Sequence, residues 1–145
     1  MDDQAVGMSA LRGMPLFAGV TQHDLENILK FGELRAYDPG QTIVERGEPG
    51  DAMYIVLRGT AEVDVGGRHH KLGSGEFFGE MALVAGRKRM ATVKAGDRVD
   101  ALRIGSDDFQ GFLLRQPRVA VAMLKSLVER LREVQERVDA WAAAW

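Results

Sequence analysis

Turn-forming residues recur about every eight to twelve positions through the middle of this chain, a spacing that leaves room only for short strands and turns. Asp38-Pro39-Gly40, Gly47-Glu48-Pro49-Gly50-Asp51, Gly66-Gly67, Gly73-Ser74-Gly75, Gly96-Asp97 and Gly105-Ser106-Asp107 each combine residues that set or tolerate turn dihedrals. Seventeen glycines stand against four prolines, and most of the glycines fall between Gly32 and Gly111. Between the turns lie runs with strand chemistry: Thr42-Ile43-Val44, Tyr54-Ile55-Val56-Leu57, the alternating Ala61-Glu62-Val63-Asp64-Val65, and Val99 to Ile104. About seven or eight short strands are expected, as in a sandwich or barrel.

Both ends read as helix. Thr21 precedes Gln22-His23-Asp24 and the apolar Leu25, Ile28 and Leu29, so it is expected to cap a helix, with Asp24 completing a capping-box variant. Ser106 before Asp107-Asp108-Phe109 repeats that signal, and the helix it starts should end near Gln116, because Pro117 disfavours helix at the residue before it. Pro117 itself suits the first turn of the next helix. From Arg118 onward there is neither Gly nor Pro, and Ala120, Leu124, Leu127, Leu131, Val134, Val138, Trp141 and Trp145 repeat at alternating intervals of four and three. That spacing predicts a seam for a partner helix, a coiled coil within 118–145. An amphipathic helix lying on its own barrel would show a similar stripe, but a body about 30 Å across cannot cover a helix of ~40 Å. Val121, Met123 and Val128 lie off the seam, so one helix can do both.

Nineteen Lys and Arg against 21 Asp and Glu leave a net charge of −2, with no long basic run, which argues against a nonspecific nucleic-acid binder. The absence of cysteine excludes disulfides, thiolate zinc sites and iron–sulfur clusters. The start, Met1-Asp2-Asp3-Gln4, is acidic where a secretory signal would be basic, and no apolar run approaches ~20 residues. A cytoplasmic location without membrane contact is therefore expected.

Chemistry concentrates between Gly75 and Val93. Gly79-Glu80 follows two aromatics at a strand end, Met81 to Ala85 can form a short helix, and Gly86 can terminate it. The free N–H groups of such a helix attract an anion, and Gly79 lets the anion approach the backbone. Arg89 begins a strand-like run through Val93 and can pair two phosphate oxygens through its planar fork. Glu80, ionised at neutral pH, only accepts hydrogen bonds, so beside an anion it suits a hydroxyl such as that of a ribose. Singly, these are an ordinary turn glycine, a solvated carboxylate and a surface arginine. Together they describe a pocket for a phosphate with a neighbouring hydroxyl, which fits a nucleotide better than inorganic phosphate.

Phe78-Gly79-Glu80-Met81-Ala82-Leu83 followed by Arg89-Met90-Ala91-Thr92-Val93 resembles the phosphate-binding cassette of cyclic-nucleotide-binding domains, and Gly47 to Gly59 is similar to that family's strand-and-turn signature. The family includes regulatory subunits of cAMP-dependent protein kinase, the bacterial catabolite activator protein and cyclic-nucleotide-gated channels. The resemblance implies a mainly β fold with flanking helices: an eight-stranded jelly roll with N-terminal helices (1–32), the roll (33–105, cassette 78–93) and C-terminal helices (106–145), one domain over 1–145. It implies ligand contacts at Gly79, Glu80, Met81, Ala82, Leu83, Arg89, Met90 and Ala91, with Glu80 accepting from the ribose 2′-OH and Arg89 holding the cyclic phosphate. Lys88 stands where the family often has proline, and Met90 where cGMP-preferring members commonly place a hydroxyl, which tilts the expectation toward cAMP.

Two rival readings are a cupin-type metalloenzyme and a jelly-roll dimerisation module with a vestigial or different-ligand pocket. His69-His70 is the one histidine cluster, and adjacent strand residues point to opposite faces, so the pair does not chelate from a regular strand. Retained Glu80 and Arg89 speak against the vestigial pocket. No cofactor, metal or catalysis is expected. The expected partners are a cyclic nucleotide, a second copy through the C-terminal helix and an effector protein. With no helix-turn-helix, kinase or channel following, the chain reads as a stand-alone sensor or one piece of something larger.

Overall fold

The computed structural model describes residues 3–80 and 87–143. In chain order these form α1 (Asp3–Arg12), a 3-10 turn (Pro15–Phe17), α2 (Gln22–Phe31), β1 (Glu33–Tyr37), β2 (Thr42–Val44), β3 (Ala52–Arg58), β4 (Ala61–Val65), β5 (Arg68–Leu72), β6 (Phe77–Phe78), β7 (Thr92–Ala95), β8 (Val99–Gly105), α3 (Ser106–Arg115) and α4 (Pro117–Ala143). The strands make two four-stranded antiparallel sheets, ordered β1-β8-β3-β6 and β2-β7-β4-β5. This is the expected mainly β, jelly-roll-like architecture with helices at its flank.

Strand β3 explains how the layers meet. Successive strand side chains point to opposite faces. Met53, Ile55 and Leu57 accordingly join a core with Leu11, Leu25, Ile28, Phe109 and Phe112 of the helices, while Ala52, Tyr54 and Val56 join a second core with Val44, Val63 and Val93 of the facing sheet. β3 is thus covered on both faces, which is why its sequence, Ala-Met-Tyr-Ile-Val-Leu, is apolar without alternation. β4, at a more open position, alternates buried Ala61 and Val63 with exposed Glu62. Burial pushes the Tyr37 phenol above its usual pKa range, so it stays neutral inside the second core.

Helix boundaries follow local chemistry. The Asp24 backbone N–H donates to Thr21 Oγ1 at 3.2 Å, the expected cap of α2. At α3 the cap is Gly105, not Ser106. β8 still pairs through Gly105 with Ala52, and the Ser106 N–H donates to the Asp51 carbonyl at 2.9 Å, so the helix starts directly off the strand with Ser106 as its first residue. α3 ends at Arg115 with Gln116 as its C-cap, and Pro117 opens α4, as their sequence requires.

α4 runs 27 residues, about 40 Å. Val119 and Met123 are buried and Leu127 packs against the helical core, whereas every residue from Leu131 to Ala143 is exposed. Among the described residues no helix is long and apolar enough to cross a membrane.

Candidate functional site

The site grows from the end of β6. Phe77 and Phe78 point to opposite faces, Phe77 into the helical core and Phe78 into the inter-sheet core, where its ring stacks on Tyr54 at 5.1 Å with 5° between planes. The chain then turns at Gly79, whose φ of +83° favours glycine. A Cβ there would lie 2.7 Å from Arg89 Nη1 and 3.0 Å from the Ala52 carbonyl oxygen. Gly79→Ala is expected to cost about 1–3 kcal/mol of folding stability and to displace Arg89. A melting temperature equal to the parent's would contradict that packing.

Arg89 approaches from the other side of the turn. Its Nη2 donates to the Ala52 carbonyl at 2.8 Å and its guanidinium lies 5.8 Å from the Tyr54 ring centroid, so carbonyl and ring hold the head beside Gly79. Its backbone is not in a strand, contrary to the expected run from Arg89 to Val93: β7 begins at Thr92. The Gly47–Gly50 loop takes those backbone groups instead, with Arg89 N–H on Glu48 O at 2.7 Å, Gly47 N–H on Arg89 O at 3.0 Å and Gly50 N–H on Arg87 O at 3.1 Å. That loop and the cassette thus brace each other, which gives the Gly47–Gly50 sequence a role in the site.

Glu80 is met by a residue the sequence reading did not single out. Arg130 of α4 donates through Nη1 to Glu80 Oε1 at 2.9 Å, donates weakly through Nη2 to Phe77 O at 3.4 Å, and places its guanidinium 4.8 Å from the Phe77 ring centroid. Two arginines therefore bracket the Phe77-Phe78-Gly79-Glu80 segment, Arg89 above Tyr54 and Arg130 above Phe77. The signal for Arg130 was present: Val119, Met123 and Leu127 mark the barrel-facing side of α4, and Arg130 follows on that side. An arginine continuing an apolar stripe calls for an acceptor on the body it faces.

Of the other expected contacts, Met90 is 64% exposed and Ala91 packs partly against the inter-sheet core. Met81, Ala82 and Leu83, the anion-binding helix start expected near them and its terminator Gly86 lie outside the described residues. His69 and His70 are both exposed on β5, and among the described residues no three His, Cys, Asp or Glu side chains gather as a metal site would need.

An arginine and a carboxylate held around a left-handed glycine, at the end of a short strand in this two-sheet frame, agree with the comparison with known families. Residues 34–116 match the family model for the cyclic nucleotide-binding domain. The chain belongs to this family. It is a cyclic-nucleotide-binding regulatory domain. It is similar to the cyclic AMP receptor protein of Thermus thermophilus, 31% identical over 135 residues, covering 89% of this chain and 62% of that one. The crystal structure of the Thermus thermophilus catabolite activator protein superposes with a TM-score of 0.78 at 30% identity, over 88% of this domain and 63% of that chain. A solved chain from a cyclic-GMP-dependent signalling pathway that regulates bacterial phytopathogenesis superposes with a TM-score of 0.67 at 32% identity, over 78% and 95%. The domain spans 30% and 33% of the length of two potassium-channel relatives that it also matches.

Proposed function

We propose that this domain senses cAMP in preference to cGMP and reports occupancy through α4. In this reading Arg89 pairs the cyclic phosphate, the ribose 2′-OH donates to Glu80, and backbone around Gly79, Met81, Ala82, Leu83, Met90 and Ala91 completes the cradle. The observation that carries it is the Glu80–Arg130 contact at 2.9 Å, because it ties the carboxylate meant for the ligand to the helix meant for output. A carboxylate has acceptor sites for more than one donor, so a hydroxyl binds beside Arg130 and strengthens the docking of α4. Nucleotide then favours the docked arrangement by as much as it binds that arrangement more tightly. Met90 supplies no hydroxyl for a guanine amino group, which supports the preference for cAMP. The domain does no catalysis, acts in the cytoplasm, joins a second copy through α4 and signals to an effector protein, without itself touching nucleic acid or membrane.

Hydrogen exchange tests the coupling. Saturating cAMP is expected to slow amide exchange in α4 beyond Arg130, and Arg130→Ala is expected to abolish that slowing. Because the pair is part-exposed, the substitution should change folding stability by less than about 1 kcal/mol. Exchange in α4 that is the same with and without bound nucleotide would contradict transmission through this helix.

A further inference from the structure

Where α1 meets β1 and the neighbouring ends of β3 and β8, the sheet carries a cavity of about 110 Å³ that shares no residue with the cassette. Val6, Leu34, Ala36 and Leu57 give it apolar walls, and Arg58, Arg98 and Asp100 stand at its polar side. An apolar cavity of about 150 Å³ admits benzene, so this one takes a smaller group, of about four carbons. Arg35 also borders it, but the Arg35 head is engaged by Glu33, to which Nη2 donates at 2.7 Å.

β3 is irregular at this place. Val56 pairs with Ala101 and Arg58 with Asp100, so Leu57 and Arg58 together stand against one residue of β8, a β-bulge. Regular alternation would send Arg58 to the inter-sheet side with Tyr54 and Val56. The bulge puts it on the side of Leu57 and Asp100 instead, and its Nε donates to Asp100 Oδ2 at 3.1 Å. That contact uses Nε alone, which leaves the two terminal nitrogens for another acceptor. Arg98 Nη2 stands 3.6 Å from Asp100 Oδ1, longer than a hydrogen bond, so two arginines share one carboxylate and leave one positive charge in excess. Asp97 does not offset it. Its Oδ1 accepts from the Thr60 N–H at 2.7 Å, in a turn where the Gly96 N–H also donates to Thr60 O at 2.8 Å, and this fixes the backbone that carries Arg98.

We propose that this cavity is a second ligand site that takes a small aliphatic carboxylate, its carboxylate on Arg58 and Arg98 and its chain of two to four carbons, roughly, against Val6, Leu34 and Leu57. A guanidinium edge matches the two oxygens of a carboxylate, and apolar walls behind it favour an alkyl chain over a bare phosphate or sulfate.

Amide spectra of the full chain, titrated with sodium butyrate at constant ionic strength, test this. Saturable shifts at Leu57, Arg58 and Asp100 are expected, with a dissociation constant of about 1 mM, an affinity that so small a ligand can supply. Arg58→Leu removes the fork and is expected to weaken binding at least about tenfold. Ala36→Leu, at an exposed position of β1, fills the cavity while keeping both arginines, and is expected to weaken it as much. Arg58 is 59% exposed in its ion pair, so Arg58→Leu should melt within about 3 °C of the parent, and lost binding then reports the site and not the fold. Shifts that do not saturate, or that persist in both variants, overturn the site. Inorganic phosphate that binds as well as butyrate shows a charged patch only and overturns the aliphatic carboxylate. The cassette is untouched by either variant, so failure here is distinct from failure to bind a cyclic nucleotide.

Discussion

Arg89→Ala is expected to bind cyclic nucleotide at least about 30-fold more weakly, a loss of at least about 2–3 kcal/mol. The guanidinium is held beside Gly79 by the Ala52 carbonyl at 2.8 Å and by the Tyr54 ring, so its donors are oriented before a ligand arrives. Removing it would take away the two-point, charge-assisted contact to phosphate proposed for it, which a hydrated lysine would not restore in the same geometry. Folding should suffer much less. The side chain makes one backbone hydrogen bond, worth about 1 kcal/mol, and the Ala52 carbonyl it leaves can be reached by water at a part-buried site. Glu80→Gln should weaken binding by a smaller factor, since an amide oxygen still accepts from a hydroxyl. Titration calorimetry beside a thermal melt separates these effects. A variant that binds like the parent would remove Arg89 from the phosphate site, and one that does not fold would make it a structural residue.

Phe112→Ala should be the most damaging single change to the fold, at about 3–5 kcal/mol. Phe112 is 2% exposed, meets Phe17 edge-on at 6.4 Å and Phe31 at 6.1 Å, and so joins α3 to the 3-10 turn and to α2. Truncation leaves a cavity at the junction of three separate pieces of chain, where no one element can shift to fill it without unpacking another. At roughly 3 °C per kcal/mol for a chain of this size, the melting temperature should fall by about 10–15 °C. A fall of only one or two degrees would mean that the helices repack freely over the sheet, and α3 and α4 would then be poor carriers of a ligand signal.

What could be read in the sequence was what local chemistry decides. Thr21 caps α2 because its hydroxyl reaches the Asp24 N–H, and the Pro117 break separates α3 from α4 because the residue before a proline avoids helix. Glu80 and Arg89 were legible as a pair, nine positions apart with a glycine before them, and the fold brings both to one turn. What could not be read depends on long-range pairing. Arg89 lost its expected strand to the Gly47–Gly50 loop, some forty residues earlier, whose carbonyls and N–H groups compete for the same backbone. Ser106 lost its cap role because β8 continues one residue further to pair with Ala52. Arg130 lies fifty residues from Glu80, and the side of α4 that faces the barrel could be told only once Val119, Met123 and Leu127 were seen against the core. A heptad pattern states that a stripe exists; the barrel decides which way it faces.

The most direct test titrates the nucleotide-free protein with cAMP and with cGMP in parallel, beside Arg89→Ala. Micromolar or tighter binding of cAMP, weaker binding of cGMP and loss of both in the variant are the predicted result. A folded, empty protein that gives no heat with either nucleotide would contradict the account.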